Sequence, residues 1–220
     1  MRQLYDAALL THYIKRYDLQ NIFSFDLTKV ATLVSYEPQE LISQMGELYG
    51  NFLILVEGEC MAYVMTGAEK LHCERHYRGL DIMGLVSVLW NQPTINTIRA
   101  ITPCVCIVIP GALYREDLMN DVKFLRYTAQ YLAAHIRKSA HHFEPLENRL
   151  AAFILEMEQK GVFQYNLTLC AELLETSYRH LLRTLHSFCE SGILKKQKKG
   201  RYVILDKQKL ENLGGITLSI

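Results

Sequence analysis

The chain has 220 residues, of which 50% are hydrophobic and 21% charged, with 24 Lys and Arg against 23 Asp and Glu. This length suits one large domain or two of ordinary size, and the composition is that of a globular protein with a hydrophobic core. No apolar run approaches the ~20 residues that cross a bilayer, and Met1–Arg16 lacks the apolar segment of a signal peptide. The 6 cysteines are too few and too scattered for a disulfide framework. We therefore expect reduced thiols, a cytoplasmic location and no membrane partner.

The charge is divided unevenly along the chain. Residues 147–220 hold 11 Lys and Arg against 8 Asp and Glu, whereas residues 1–146 hold 13 against 15. The C-terminal part is the better suited to a partner that carries phosphate.

Short apolar runs separated by glycines predict an antiparallel barrel or roll in the first half of the chain. A helix is predicted at Leu4–Tyr17, and Leu27–Leu33 begins the next element. The predicted strands are Ala31–Val34, Phe52–Val56, Met61–Met65, Ile95–Ile98 and Val105–Ile109. The stretch from Cys104 to Ile109 is apolar at every position, which predicts a strand buried on both faces.

A long amphipathic helix is predicted from Leu113 to His142. Its apolar residues recur at spacings of four and three, the a/d pattern of a coiled coil. This seam consists of Leu118, Val122, Leu125, Ala129, Leu132 and Ile136. One such seam could dock on the sheet of its own chain, but its length favours a partner helix in a homodimer. His141, His142 and Pro145 mark a hinge.

The last part of the chain contains the elements of a winged helix-turn-helix, which are three helices followed by a hairpin. The first two predicted helices are Asn148–Lys160, ended by Gly161, and a short helix capped by Asn166. After a turn at Thr176, Ser177 caps Tyr178–Glu190, which Gly192 ends. Ile193–Leu205 forms two strands around Lys198, Lys199 and Gly200, and Asp206 caps a last helix to Leu213.

On these motifs the chain resembles the CRP/FNR superfamily of transcription regulators, and within it the YeiL-like branch. The motifs are NRLAAFIL at 148–155, SYRHLL at 177–182 and KKG at 198–200, with QMGE at 44–47, VEGE at 56–59 and IRA at 98–100. The resemblance implies an α+β fold. Its parts would be an antiparallel jelly-roll, cyclic-nucleotide-binding-like sensor domain (1–112), a long dimerisation helix with its hinge (113–144), and a winged helix-turn-helix domain (145–220).

The resemblance also implies a sequence-specific DNA-binding regulator that acts as a homodimer on a two-fold operator. By resemblance Tyr178, Arg179 and Arg183 occupy the base-reading positions, where the family commonly has Arg, Glu and Arg. Arginine suits bidentate contact with guanine. The opposite, buried stripe is expected to be Leu181, Leu182, Leu185 and Phe188. Glu175 stands in the turn where the family often has glycine.

Contacts with the DNA backbone are expected around this helix and along the basic hairpin. The residues expected to make them are Asn166, Thr168, Ser177, His180, Lys195, Lys196, Lys198, Lys199 and Arg201. The expected partners are double-stranded DNA and a second copy of the chain, with RNA polymerase as a further candidate.

The sensor half departs from cyclic-nucleotide-binding relatives at the ligand positions. Leu85 falls where those relatives have the carboxylate for the ribose, and Thr94 and Ile95 fall where they have the Arg-Ser pair for the phosphate. With Gly84 and Asn96 these residues would form the effector pocket. A buried phosphate without a cation or spare donors is costly, so cyclic AMP is not expected. No cofactor is predicted, and an unidentified small-molecule effector stays open.

Two alternatives remain at this point. One is an input through redox chemistry or a metal held by Cys60, Cys73, Cys104 and Cys106, although Cys104 and Cys106 have the pattern of core residues and no metal is predicted. His72 and His76, on either side of Cys73, are expected to be surface residues. The other is a protein-interaction module that does not bind DNA. The sequence has no Gly-rich phosphate loop, nucleophile elbow or His-x-x-x-His helix, so an enzyme is not expected.

Overall fold

The computed structural model describes residues 1–48, 50–65, 71–140 and 144–215 and divides the chain into two compact units, Met1–Ala133 and Ala134–Ile220. The hinge residues His141 and His142 lie outside the described residues. None of the described helices is both long and apolar enough to cross a membrane.

The N-terminal unit is a two-sheet roll with helices at its ends. Its elements in chain order are β1 (Arg2–Leu4), α1 (Ala7–Arg16), a 3₁₀ helix (Leu19–Asn21), α2 (Leu27–Val30), β2 (Thr32–Tyr36), β3 (Leu41–Ser43), β4 (Asn51–Glu57), β5 (Glu59–Met65), β6 (Leu71–Arg78), β7 (Asp81–Met83), α3 (Leu85–Trp90), β8 (Thr97–Ala100), β9 (Cys104–Pro110) and α4 (Gly111–Asn120). One sheet has the strand order β1-β2-β9-β4-β7 and the other has the order β3-β8-β5-β6. All of these pairings are antiparallel, as predicted.

Strands β4 and β9 separate two hydrophobic clusters. Leu53 and Leu55 of β4 join the cluster that draws residues from both sheets, while Phe52 and Ile54 join the cluster that includes the helices. In β9 every residue from Cys104 to Ile109 is buried or half-buried. The prediction of a strand covered on both faces is therefore confirmed. Two buried faces leave no solvent-exposed side, and this explains the near-continuous apolar sequence of both strands.

The predicted helix from Leu113 to His142 is two helices, because the chain bends at Asp121. The first is α4, and the second is α5 (Val122–Ala140), which begins in the first unit and continues into the second. The Asp121 carboxylate accepts hydrogen bonds from the Lys123 and Phe124 amides at 2.9 and 3.3 Å. It also accepts the Ser24 amide at 2.6 Å and the Ser24 hydroxyl at 2.8 Å. One carboxylate thus caps α5 and ties its start to the segment before α2.

The C-terminal unit is a winged helix-turn-helix. Its further elements are α6 (Leu146–Met157), β10 (Val162–Gln164), α7 (Leu167–Leu173), α8 (Tyr178–Glu190), β11 (Leu194–Lys198), β12 (Arg201–Ile204) and α9 (Lys207–Leu213). The three strands form an antiparallel sheet in the order β10-β12-β11. One cluster, with Leu150, Ile154, Phe163, Leu181 and Leu185 among its fully buried members, packs the helices on this sheet.

Candidate nucleic-acid interface

Both helices of the helix-turn-helix begin at the polar caps that the sequence predicts. Asn166 Oδ1 accepts a hydrogen bond from the Thr168 amide at 2.9 Å, and Ser177 Oγ accepts one from the His180 amide at 3.1 Å. Each cap satisfies an amide that has no partner inside its own helix. Asp206 caps α9 in the same way through the Lys209 amide at 2.9 Å.

The turn between α7 and α8 contains a residue in the left-handed conformation that is not a glycine. Glu175 has a φ of 46°, a conformation that costs a non-glycine residue about 1 kcal/mol. The Thr176 amide donates to the Ala171 carbonyl at 2.9 Å, and Ala171 is buried. The glutamate therefore occupies the turn conformation that glycine adopts freely, and the small side chain of Ala171 lets the two helices approach.

The buried stripe of α8 differs from the prediction at one position. Leu181, Leu185 and Phe188 are buried as expected, but the fourth buried residue is Thr184, whose hydroxyl donates to the His180 carbonyl at 3.2 Å. Leu182, predicted to be buried, is 37% exposed. The reason is geometric, because the spacing i, i+3, i+4, i+7 from Leu181 selects 184, 185 and 188 for one face of the helix.

The outward face of α8 presents the side chains expected to read bases. Tyr178, Arg179 and Arg183 are all exposed, as are His180 and His186. Arg179, Arg183 and His186 lie opposite the buried stripe, at spacings of four and three, and so share one face. Nitrogen donors therefore project from the first three turns of this helix, which include the N-terminal part from which helices of this architecture contact bases.

The hairpin of β11 and β12 presents the basic cluster. Lys195, Lys196, Lys198 and Lys199 are exposed, and the strand pairing shifts register between Lys196 and Lys198. Because of this shift, the neighbouring lysines do not alternate strictly between the two faces of the sheet.

Two residues at the turn end of the hairpin, Gly200 and Arg201, make contacts that set its shape. Gly200 has a φ of 73° and accepts a hydrogen bond from the Tyr165 amide at 2.9 Å. Arg201 is half-buried, and its Nε and Nη1 donate to Gln197 Oε1 and Gln164 Oε1, each at 2.7 Å. The guanidinium thus joins the hairpin to β10, a bracing role that the sequence did not indicate. Its expected phosphate contact stays a prediction.

The five residues expected to form the effector pocket lie at two separate places in the roll. Gly84 (φ of 88°) precedes α3, where a Cβ would collide with the Asn51 carbonyl oxygen, and Leu85 packs against the helix-side cluster. Thr94 donates its hydroxyl to the Gln44 carbonyl at 2.6 Å.

The other two residues of that set lie beside Thr94. Ile95 is exposed, and Asn96 Nδ2 donates to Glu74 Oε2 at 3.0 Å. The hydrogen-bonding side chains of the set, Thr94 and Asn96, are thus engaged within the chain, and none of the five side chains carries a positive charge.

The cysteines of the roll are core residues. Cys60, Cys73, Cys104 and Cys106 are all buried. Burial raises the pKa of the Cys106 thiol, which makes it a poor nucleophile and metal ligand, whereas the hydrogen bond with Cys60 lowers the pKa of Cys104. Among the described residues there is no group of three or more His, Cys, Asp or Glu side chains placed to hold a metal.

One of the two histidines near Cys73 is not at the surface. The side chain of His76 is only 6% exposed, and its Nε2 lies 3.0 Å from Glu59 Oε2. Glu59 also contacts Arg78 Nε at 3.4 Å. A charged partner therefore allows this histidine to be buried, contrary to the prediction, whereas His72 is exposed as expected.

A polar network that the sequence did not reveal joins the roll to α5. Arg75 Nη2 lies 2.9 Å from both oxygens of Asp81 and donates to the Tyr131 hydroxyl at 2.8 Å. That hydroxyl donates to Asp81 Oδ1 at 2.7 Å, and the guanidinium lies 4.4 Å from the Tyr77 ring centroid. Burial raises the pKa of Tyr131, so its hydroxyl keeps the proton that it donates. The periodicity of the sequence does not predict this network, because its members come from three different elements.

The predicted helical seam separates into a buried end and an exposed stripe. Leu118 is fully buried on α4, so it belongs to the core of its own unit and is not available to a partner helix. Leu125 is half-buried against the helix-side cluster. Val122, Ala129, Leu132 and Ile136 are exposed along α5, Val122 at 66% and Ile136 at 72%. We call these four residues the apolar stripe.

Comparisons with known proteins agree with both units. Residues 33–121 match the cyclic nucleotide-binding domain family, and residues 148–213 match the Crp-like helix-turn-helix domain family. The chain is 28% identical over 199 residues to Regulatory protein YeiL of Escherichia coli O157:H7, over 88% of this chain and 90% of that protein.

The solved structures agree in fold. FixK2 from Bradyrhizobium japonicum has a TM-score of 0.70 at 21% identity, over 84% of this chain and 97% of that chain. A CooA mutant from Carboxydothermus hydrogenoformans has a TM-score of 0.65 at 15% identity, over 90% and 94%. At such identities these structures establish the likeness of fold alone.

Proposed function

Because the chain belongs to the CRP/FNR superfamily of transcription regulators, near YeiL, we propose that it binds a two-fold operator as a homodimer and does not respond to cyclic AMP. The observation that carries the proposal is the outward face of α8, where Arg179 and Arg183 are exposed beside a hairpin with four exposed lysines. We place its action in the cytoplasm, where its DNA target lies. RNA polymerase is the further partner that we propose.

In this proposal the roles divide between base edges and phosphates. Tyr178, Arg179 and Arg183 contact bases from the first two turns of α8, where a recognition helix meets the major groove. Arginine donates two parallel hydrogen bonds to O6 and N7 of guanine, so Arg179 and Arg183 favour G·C pairs. The remaining set contacts the DNA backbone and gives affinity without sequence information. That set is Asn166, Thr168, Ser177, His180, Lys195, Lys196, Lys198, Lys199 and Arg201.

The apolar stripe of α5 supports the homodimer. Its residues are exposed in the single chain and follow the a/d spacing through which two helices pack. A second copy of α5 would cover the same residues of both chains by two-fold symmetry. Two recognition helices related by that axis would then meet two half-sites about one helical turn of DNA apart.

Three features of the roll support independence from cyclic AMP. Leu85 packs against the helix-side cluster, Thr94 is bonded to the Gln44 carbonyl, and Asn96 is bonded to Glu74. A cyclic phosphate placed there would meet no cation from these side chains and would displace hydrogen bonds already made. Taking a charged phosphate from water without compensation is strongly unfavourable.

The test is a titration of the full chain against a duplex that the purified protein itself enriches from a random-sequence library. Gel-shift dissociation constants are measured at about 50 and 200 mM salt, and we expect a loss of about 10³-fold or more for six or more phosphate contacts. Arg179→Ala or Arg183→Ala removes one base contact from each half-site. We expect about 30-fold weaker specific binding, with non-specific binding nearly unchanged.

A matched control is Lys209→Ala, which removes an exposed charge of the same unit on α9, the helix that packs on α6. It should leave specific binding unchanged. Failure to enrich any duplex at either salt concentration would refute DNA binding and favour a protein-interaction module. Addition of about 1 mM cyclic AMP is expected to change neither the dissociation constant nor the melting temperature. A rise of several degrees in the melting temperature would show that the roll binds the nucleotide.

A further inference from the structure

We propose that Leu182 contacts the C5-methyl group of a thymine in each operator half-site and so determines part of the sequence specificity. This inference rests on the proposed function, because it requires α8 to enter the major groove. It adds an apolar contact to the contacts expected from Tyr178, Arg179 and Arg183.

The exposure of Leu182 is the first observation. The residue is 37% exposed, whereas Leu181 and Leu185 on the same helix are almost fully buried. Leu182 is not a member of the hydrophobic cluster of its unit, although Cys189, two turns further on, packs against that cluster. More than a third of the side chain therefore lies outside the core that its neighbours build.

The position of Leu182 on α8 is the second observation. It lies three residues after Arg179 and four before His186, so these three side chains are neighbours on one exposed side of the helix. Arg183 is the next residue along the chain. Leu182 is thus an uncharged, apolar position set among donors, in the second turn of the recognition helix.

The chemistry of the major groove gives this apolar position a partner. Thymine is the one standard DNA base that carries a methyl group on its major-groove edge, and apolar side chains recognise it by burying that methyl. A leucine side chain has no donor or charge with which to bind a phosphate, and the exposed edges of guanine, cytosine and adenine carry polar groups. An isolated exposed leucine is ordinary on a protein surface. Its placement among the donors of a recognition helix is what makes Leu182 a candidate reader of thymine.

The experiment removes the methyl group from either side of the contact. Each thymine of the enriched duplex is replaced in turn by deoxyuridine, which has the same hydrogen-bonding groups and lacks only the methyl. The binding of each duplex to the wild-type chain and to Leu182→Ser is measured. At one thymine position we expect deoxyuridine to weaken wild-type binding about fourfold for each half-site, the effect of about one buried methyl group. The same replacement should leave the Leu182→Ser chain unaffected.

Two further variants separate the contact from indirect effects. Leu182→Met keeps an apolar side chain and should retain dependence on the methyl group. Leu205→Ser removes another exposed leucine of the same unit, 58% exposed and outside α8, and should behave as the wild type does. Circular dichroism checks that each variant is folded. Comparing four affinities as a double-mutant cycle cancels any effect of deoxyuridine on the DNA itself.

The outcomes distinguish this inference from the function on which it rests. A duplex that is enriched but insensitive to deoxyuridine at every thymine would overturn the role of Leu182 and leave DNA recognition standing. Equal sensitivity of the wild type and Leu182→Ser would do the same. If no duplex is enriched, the proposed function fails and the thymine contact fails with it.

Discussion

Tyr131→Phe is the sharpest test of how the roll holds α5. The substitution removes only a hydroxyl, which donates to Asp81 Oδ1 at 2.7 Å, accepts from Arg75 Nη2 at 2.8 Å and lies 3.2 Å from the Ile82 carbonyl oxygen. Hydrogen bonds to charged groups stabilise a protein by about 1.5–3 kcal/mol each. Because Arg75 and Asp81 stay paired with each other, neither charge is left without a partner. We therefore expect a loss of about 2 kcal/mol in the free energy of unfolding of the N-terminal unit.

The assay is urea unfolding followed by pulsed hydrogen exchange of peptides from β6 and β7, which lie in the N-terminal unit and contain Arg75 and Asp81. With a urea dependence of about 2 kcal/mol per molar, the midpoint should fall by about 1 M. The matched control is Tyr127→Phe, one turn earlier on α5, whose hydroxyl makes no hydrogen bond to any described residue. If both variants unfold at the same midpoint, the network contributes no stability and the reasoning is wrong.

Three further variants test the capping carboxylate, the apolar stripe and the hairpin. Burial alone would raise the pKa of Asp121, but the hydrogen bonds from Ser24 and from two amides outweigh it and the pKa is lowered. The stabilising contribution of the Asp121 carboxylate is therefore complete above about pH 4, the pKa of an unfolded aspartate, and is lost as the pH falls through the lower pKa of the folded state. Acid titration should accordingly destabilise the wild type more than Asp121→Asn. Leu132→Asp should weaken the proposed dimer more than 100-fold in sedimentation, whereas Leu113→Asp, another exposed leucine changed in the same way, should not. Gly200→Ala would place a Cβ 2.6 Å from the Tyr165 carbonyl oxygen at a φ of 73°, and we expect a lower melting temperature and weaker DNA binding at all sequences.

The strands that the sequence predicted well are those whose own residues are nearly all apolar. Phe52–Val56, Met61–Met65 and Val105–Ile109 all lie within observed strands. Strand β6 could not be found in this way, because its sequence LHCERHYR is mostly polar. Its Arg75 and His76 become compatible with a sheet only when Asp81 and Glu59 pair with them.

The recognition helix, by contrast, is determined by information local to the sequence. Its caps, Asn166 for α7 and Ser177 for α8, were predictable because a capping side chain bonds amides two or three residues away. The exposure of Leu182 follows from local information as well, because the helical period places it off the face of Leu181 and Leu185, although its apolar character favours burial. The helical period alone places Thr184 inward, and a threonine hydroxyl can be buried when it bonds the carbonyl four residues earlier.

The two faces of α5 make its stability and its pairing interdependent. Phe124 and Tyr131 hold one face on the roll, while Val122 and Leu132 of the apolar stripe remain exposed on the other. Ordering a helix costs about 1–2 kcal/mol of backbone entropy for each residue. A partner helix that met an already ordered α5 would not have to supply that free energy, so pairing is favoured by contacts that lie off the stripe. Tyr131→Phe is therefore expected to weaken the proposed dimer as well as the roll, although the lost hydroxyl faces away from the partner. A variant that unfolds more easily but dimerises with unchanged affinity would show that the roll does not pre-order this helix.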